Sequence, residues 1–172
     1  MRSTKPLTRP MAKAQYRTAR IDLLLVAIMT ALNIIFLMTG AEVAMLFSAA
    51  IPYYLVAIAW YNGPQWFVQY SLIIAAVILS VYLLCWYFST KHHGWLIAAL
   101  VLFIVDTLAL VVLYWGYWAS GIFEALIHAA VLYYLIRGIR AAKALRTLPE
   151  EEVETQAQQL PETEPIRRAE EE

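Results

Sequence analysis

Residues 95–136 read WLIAALVLFIVDTLALVVLYWGYWASGIFEALIHAAVLYYLI and decide the fold class. They contain two apolar runs, 95–115 and 119–136, joined by the short link from Gly116 to Trp118. A helix rises about 1.5 Å per residue, so about 20 apolar residues cross the roughly 30 Å hydrocarbon core of a bilayer. Both runs are close to that length, and a link this short makes the two helices antiparallel neighbours. The stretch predicts a membrane-spanning helical hairpin.

The composition places the rest of the chain in the same environment. Of its 172 residues, 62% are hydrophobic and 15% are charged, with a mean hydropathy of +0.60. Soluble domains average about 45–50% apolar and about 25% charged residues, so the main solvent of this chain is lipid. Three more apolar segments, 21–39, 43–61 and 68–88, precede the hairpin. We therefore predict an all-α integral membrane bundle of five helices in up-and-down order across residues 21–136.

Charged regions flank this hydrophobic body. Residues 1–20 form a basic segment, and the apolar run after it exceeds a cleavable signal's core, which favours an uncleaved signal-anchor. Met11 is an alternative translation start, which would remove three of the six basic residues in this segment. Residues 137–148 are predicted as a short basic juxtamembrane helix within reach of anionic headgroups. The acidic tail, 149–172, is rich in Glu, Gln and Pro and is expected to be disordered.

The basic residues favour an orientation but conflict with the number of crossings. Six cations before the first span favour a cytoplasmic N-terminus. Five crossings then place the four cations between Arg137 and Arg146 on the opposite face. Four crossings place both basic ends in the cytoplasm and leave Lys91 alone outside. We predict five crossings, and the alternative is four with the fifth segment, 119–136, re-entrant or interfacial.

Three ionisable residues lie at membrane depth in the hairpin, where lipid penalises charge unless it is paired or hydrated. Asp106 and His128 each lie 11 positions from Tyr117, the middle of the link, and so sit at nearly equal depth. Glu124 precedes His128 by four residues and shares its helix face. We expect Asp106, Glu124 and His128 to converge if the two helices turn these faces toward each other.

Three interpretations of this candidate cluster remain open. In the first, the cluster is helix–helix glue, and the carboxylate and imidazole satisfy each other's hydrogen bonds. In the second, it is a proton or cation relay, because burial can shift the pKa values of such groups into the range where they exchange protons. In the third, it is a metal or general-base site of an intramembrane enzyme, since two carboxylates and a histidine suit a divalent ion. His92 and His93, in a link beside Lys91, are weaker metal candidates and are expected to be solvated.

The sequence lacks several common signatures of catalytic, metal-binding and nucleotide-binding sites. There is no glycine-rich phosphate loop, no Gly-x-Ser-x-Gly elbow, no His-Glu-x-x-His and no pair of cysteines, since Cys85 is alone. We expect no cofactor, no nucleotide and no nucleic acid. The expected partners are the lipid bilayer and a second copy or another membrane protein. A non-enzymatic accessory or assembly subunit is the leading prediction; a transporter-like unit and a metal-dependent intramembrane enzyme are the alternatives.

Two stretches carry a resemblance to a known family. They are LFSAAIPYY at 46–54 and the region from CWYFS at 85–89 to HHGWLIAA at 92–99. Here the chain resembles a family of uncharacterised multi-pass membrane proteins from Gram-positive bacteria. The resemblance implies a bacterial inner-membrane location and brings neither an activity nor catalytic residues.

Overall fold

The computed structural model describes residues 7–41, 43, 45, 47–115 and 118–148, and every regular element within them is an α-helix. This confirms the all-α bundle. Four of the helical stretches are long and apolar enough to cross a membrane: Arg9–Thr39, Gln65–Phe88, Gly94–Leu113 and Gly121–Ala144. The predicted disordered tail, 149–172, lies outside the described residues. The five helices are α1 (Arg9–Thr39), α2 (Ala50–Asn62), α3 (Gln65–Phe88), α4 (Gly94–Leu113) and α5 (Trp118–Ala144).

The second apolar segment differs from its prediction as a crossing. Helix α2 has 13 residues and is about 20 Å long, which is short of the hydrocarbon thickness. Helix α1 ends at Thr39, and the left-handed φ of 72° at Gly40 turns the chain out of the helix. Pro52 is the third residue of α2, where its missing N–H would have had no helical partner. This proline therefore marks the start of a helix and does not kink one.

Hydrogen bonds show which helix ends lie together. The Tyr16 hydroxyl of α1 donates to the Ser89 carbonyl, and Arg20 Nε donates to Ser89 Oγ at 2.9 Å. Arg9 Nη1 donates to the Leu148 carbonyl at 3.1 Å, beyond the end of α5. The start of α1, the link after α3 and the end of α5 thus form one end of the bundle, which we call the basic end. The opposite end holds the end of α1, the start of α3, the end of α4 and the start of α5.

The chain around α2 enters and leaves the bundle at the opposite end. Gly40 and Gly63 flank it there, next to the end of α1 and the start of α3. Between them, the Ala49 N–H donates to Thr30 Oγ1 at 2.7 Å, and the Ala50 N–H donates to Asp106. Thr30 and Asp106 lie nine and seven residues before the ends of their helices, about 10–14 Å inside the bundle. The described residues between 41 and 62 thus enter and leave the bundle at the same end, and we call them the re-entrant segment.

These elements refine two predictions about crossings and boundaries. Five helices are present as predicted, but the helix of the second segment, α2, is not among the four stretches that are long and apolar enough to cross a membrane, whereas the fifth segment is. Helix α5 has 27 residues and includes the apolar run 119–136. It also continues through Arg137 to Ala144, so the predicted separate basic helix is the last part of α5. Likewise, α1 begins at Arg9, inside the predicted basic N-terminal segment.

The first and last helices are in close contact. Helix α1 packs most extensively against α5, and a Cβ added to Gly138 would lie 2.3 Å from the Cβ of Ala19. Only glycine permits this approach of the two backbones, although it lowers helix propensity. Large apolar side chains such as Val112 and Phe123 are exposed on the outside of the bundle. This pattern fits a surface that faces lipid.

Candidate functional site

Asp106 caps the buried N-terminus of α2. Its Oδ2 accepts the Ala50 N–H at 2.8 Å, and its Oδ1 accepts the Ile51 N–H at 2.8 Å. The first N–H groups of a helix lack helical partners, and the positive end of the helix dipole attracts a carboxylate. The side chain is buried, with the whole residue 1% exposed. Asp106 therefore holds the re-entrant segment at membrane depth, where unsatisfied N–H groups are costly.

His128 is the side-chain partner of Asp106. Its Nε2 lies 3.2 Å from Asp106 Oδ2, and its Nδ1 lies 3.0 Å from the Glu124 carbonyl. A carbonyl only accepts, so Nδ1 carries a hydrogen and donates it. The contact between Nε2 and Oδ2 then requires one shared proton, held as imidazolium and carboxylate or as imidazole and carboxylic acid. The imidazole is fully buried and stacks on the Phe103 ring at 5.0 Å.

The Glu124 carboxylate points away from this pair. Its Oε2 accepts the Tyr114 hydroxyl at 3.0 Å and lies 3.2 Å from the Tyr54 hydroxyl; the two hydroxyls are 2.6 Å apart. We call Glu124, Tyr54 and Tyr114 the Glu124 cluster. A Cβ on Gly121 would lie 2.6 Å from Cγ of Tyr114, so the ring occupies space that any other side chain at this position would fill. The three residues expected to converge thus form two clusters, one helical turn apart on α5.

Two side chains of α1 complete the support of the re-entrant segment. Thr30 Oγ1 accepts the Ala49 N–H, and Asn33 bonds to both backbone groups of Met45, at 2.8 Å from Nδ2 to the carbonyl and 2.6 Å from the N–H to Oδ1. The partner of Asn33 is therefore non-helical backbone and not a neighbouring helix. No role was predicted for Thr30. The sequence feature that could have indicated this role is the spacing, because Thr30 is a second polar residue three positions before Asn33 and so lies on the same face of an apolar span.

The structure does not support the metal hypothesis. Among the described residues, no three His, Cys, Asp or Glu side chains lie close enough to hold a metal ion, which includes Asp106, Glu124 and His128. His92 is exposed, while His93 packs edge-on against the Tyr16 ring at 5.1 Å. Burial, and then Arg146 and His92, keep the pKa of the His93 imidazole below its usual value.

Two further features surround these clusters. The Tyr82 hydroxyl is fully buried and has no hydrogen-bond partner among the described residues. At the opposite end, a partly open cavity of about 340 Å³ lies against the re-entrant segment. Its lining residues are Asn33, Leu37, Gly40, Ala41, Val43, Tyr53 and Tyr61.

Comparison with known proteins finds no family model, no curated protein and no solved structure that matches this chain.

Proposed function

We propose that this chain is a non-enzymatic membrane protein, an accessory or assembly subunit of the bacterial cell membrane. The observation that supports this most is the bonding of Asp106. Both carboxylate oxygens bind backbone N–H groups of α2, and one also contacts His128. A general base must come within hydrogen-bond reach of a substrate proton, and these two residues are 1% and 0% exposed. Their bonding favours the glue interpretation, since they fasten a segment of the fold.

We also propose four crossings with the basic end in the cytoplasm. Positive residues near span ends favour that side of the membrane. The sequence has no Lys or Arg in 21–90 or in 92–136. With α2 re-entrant, Lys91 joins the other cations at the basic end, and the earlier conflict over its position disappears. The described cations at that end are Arg9, Lys13, Arg17, Arg20, Lys91, Arg137, Arg140, Lys143 and Arg146.

The bacterial location rests on the resemblance to Gram-positive membrane proteins at 46–54 and 85–99. A second copy or another membrane protein is the expected partner, because an accessory subunit acts through one. The large apolar side chains on the outside of the bundle provide the surface for such a contact within the bilayer.

Replacement of His128 by alanine tests the structural role. The change leaves the Asp106 carboxyl without its side-chain partner and opens a cavity, so we expect a loss of about 3 kcal/mol in unfolding free energy. Thermal unfolding of the detergent-purified protein measures this loss. His92→Ala, at an exposed position, is the matched control and should leave stability unchanged. A His128→Ala protein of full stability that fails to complement a deletion strain would contradict the proposal and indicate a site.

Cysteine accessibility tests the orientation. Cys85 is the only cysteine and is buried, so Cys85→Ser provides a background for single cysteines. In intact cells, a membrane-impermeant maleimide should label Asn62→Cys, while Lys91→Cys and Arg146→Cys should react only after permeabilisation. Labelling of Arg146→Cys in intact cells would contradict the four-crossing topology.

A proton relay is the second candidate function, and one observation favours it. The buried His128 imidazole lies 3.2 Å from the Asp106 carboxylate through Nε2, and its Nδ1 donates to the backbone carbonyl of Glu124. Relays of carboxylates and histidines carry protons at membrane depth in pumps and transporters. Proton uptake into vesicles containing the purified protein, lost in a folded Asp106→Asn variant, would favour the relay over the accessory role.

A further inference from the structure

The cations at the basic end differ in what their side chains contact. Arg9 donates to the Leu148 carbonyl, and Arg20 donates to Ser89, so these two guanidinium groups support the fold. Five other cations are exposed, and among the described residues no hydrogen bond or ion pair joins their side chains to the bundle: Lys13 and Arg17 on α1, and Arg137, Arg140 and Lys143 on α5. We call these five residues the outer cations. Their charge is available to a partner outside the protein.

The outer cations of α1 continue a helix face that lies against lipid. Arg17 precedes Ile28 by 11 residues and Ile35 by 18, which are about three and five helical turns, so the three side chains share one face. Both isoleucines are exposed on the outside of the bundle. The 18 residues rise about 27 Å, which is close to the thickness of the hydrocarbon core. Arg17 therefore lies at the headgroup level, at the end of an apolar row that faces acyl chains.

Helix α5 repeats this arrangement. Arg140 follows Ile122 by 18 residues and Ala129 by 11, and both of these apolar residues are exposed. Tyr133 is exposed on the same face, seven residues before Arg140, where a phenol ring suits the boundary between acyl chains and headgroups. Each of the two helices thus has a lipid-facing row that ends in cations.

The contact between α1 and α5 brings the two sets of cations to one depth. A Cβ added to Gly138 would lie 2.3 Å from the Cβ of Ala19 and 3.7 Å from the carbonyl oxygen of Gln15. Arg17 lies between Gln15 and Ala19 in the sequence, and Arg140 lies two positions after Gly138. The axes of packed helices are about 8–10 Å apart. The outer cations of the two helices therefore form neighbouring groups at the same level of the membrane.

No acidic residue offsets this charge in the adjoining sequence. Residues 1–21 and 125–148 contain no Asp or Glu, and Asp22 is five positions from Arg17, which places it on a different face of α1. Arginine binds phosphate oxygens through paired N–H groups, and basic pockets between membrane helices bind the headgroups of anionic lipids. A lipid with two phosphodiester groups on a common glycerol fits two groups of cations, because each helix can hold one phosphate.

We propose that the outer faces of α1 and α5 at the basic end bind one anionic phospholipid with two phosphodiester groups. One phosphate is held by the outer cations of α1 and the other by those of α5, while the acyl chains lie along the apolar rows of the two helices. This assignment goes beyond the accessory role. It depends neither on that role nor on the side of the membrane on which the basic end lies, because it concerns the outside of the bundle.

Native mass spectrometry of the full chain, purified in a neutral detergent, tests the assignment. Diphosphatidylglycerol should remain bound at one molecule per chain and should raise the thermal midpoint. Phosphatidylcholine should do neither, because its choline group cancels the charge of its single phosphate. Inorganic phosphate at the same phosphorus concentration should also have no effect, because it lacks the acyl chains. Binding of diphosphatidylglycerol should weaken as salt is added.

Removal of single charges locates the site. Arg17→Gln and Arg140→Gln should each lower the affinity for diphosphatidylglycerol about fivefold, which is the contribution expected of one basic residue near an anionic surface. Both side chains are exposed, so the variants should melt like the parent when no lipid is added. Lys91→Gln is the matched control. It removes one exposed cation at the same end, in the link between α3 and α4, and should leave the affinity unchanged.

Three results would overturn the proposal. Equal losses of affinity in Lys91→Gln and Arg140→Gln would mean that only the total charge of the basic end attracts the lipid. Equal binding of phosphatidylcholine or of inorganic phosphate would mean that the two phosphodiester groups and the acyl chains are not recognised together. Binding that appears only after the nine glutamates of residues 149–172 are replaced by glutamine would make the acidic tail the partner of the outer cations.

Discussion

Two polar clusters lie one helical turn apart on α5 and use their side chains differently. The Asp106–His128 pair is buried, and its carboxylate accepts hydrogen bonds from backbone N–H groups of α2. The Glu124 carboxylate is half-buried and has two tyrosine hydroxyls as neighbours. A carboxylate that satisfies backbone N–H groups fixes the start of a helix, whereas the Glu124 carboxylate bonds to side chains that can change rotamer. Two carboxylates on neighbouring helices thus support different parts of the fold, one the backbone of α2 and the other a pair of tyrosine side chains.

The largest loss of stability is expected at the Asp106–His128 pair, and measuring it would sharpen the comparison of the two clusters. Asp106→Ala leaves two N–H groups of α2 and the His128 ring without their partner, so we expect a loss of about 3–5 kcal/mol in unfolding free energy. Chemical unfolding in detergent measures it. Asp106→Asn, which retains one acceptor oxygen, should lose less. A loss for Asp106→Ala no greater than that for Glu124→Ala would remove the distinction between the clusters.

An intermediate effect is expected where α1 supports the same segment. Thr30→Val keeps the volume but removes the acceptor of the Ala49 N–H, and the resulting buried, unsatisfied donor costs about 1–3 kcal/mol. The control is Thr107→Val, because the Thr107 hydroxyl donates to the Phe103 carbonyl one turn earlier on its own helix. Comparison of the two melting curves isolates the bond to the re-entrant segment. Equal melting temperatures would show that Thr30 contributes nothing through Ala49.

The smallest effect is expected in the Glu124 cluster. Tyr54→Phe removes one hydroxyl and keeps the ring, while Tyr114 still donates to Glu124, so the loss should be about 1 kcal/mol or less. The same unfolding measurement tests this value. A loss as large as that of Asp106→Ala would mean that the Glu124 cluster supports the fold as strongly as the Asp106–His128 pair does, which would remove the difference between the two clusters.

Depth along a helix could be predicted from the sequence, but the direction of each side chain could not. Counting from Tyr117 placed Asp106 and His128 at one level, and the structure has them in contact. The same count could not show that the Glu124 carboxylate turns toward Tyr54 and Tyr114, because that depends on the placement of α2. It also could not show that Gly121 makes room for a ring, since the clash appears only when two helices are packed.

The re-entrant segment escaped prediction because its residues are as apolar as those of a crossing. Its buried residues, among them Ala49, Ala50 and Val56, pack inside the bundle, and hydropathy does not distinguish this burial from contact with lipid. The partners that permit irregular backbone at membrane depth, Thr30, Asn33 and Asp106, come from distant parts of the chain. In α5, the ionisable residues Glu124 and His128 have partners outside the helix, namely Tyr54 and Asp106. Local sequence patterns contain neither fact.

The position of Asp106 in the chain has a consequence for biosynthesis. Helix α2 ends at Asn62, so its cap is made 44 residues later (106 minus 62), and His128 later still. Until α4 enters the membrane, the first N–H groups of α2 lack their carboxylate, and α1 still lacks the helix against which it packs most extensively. The early half of the protein therefore reaches its final arrangement only after the late half has been inserted. A chain cut off before α4 should be an early substrate for membrane proteases.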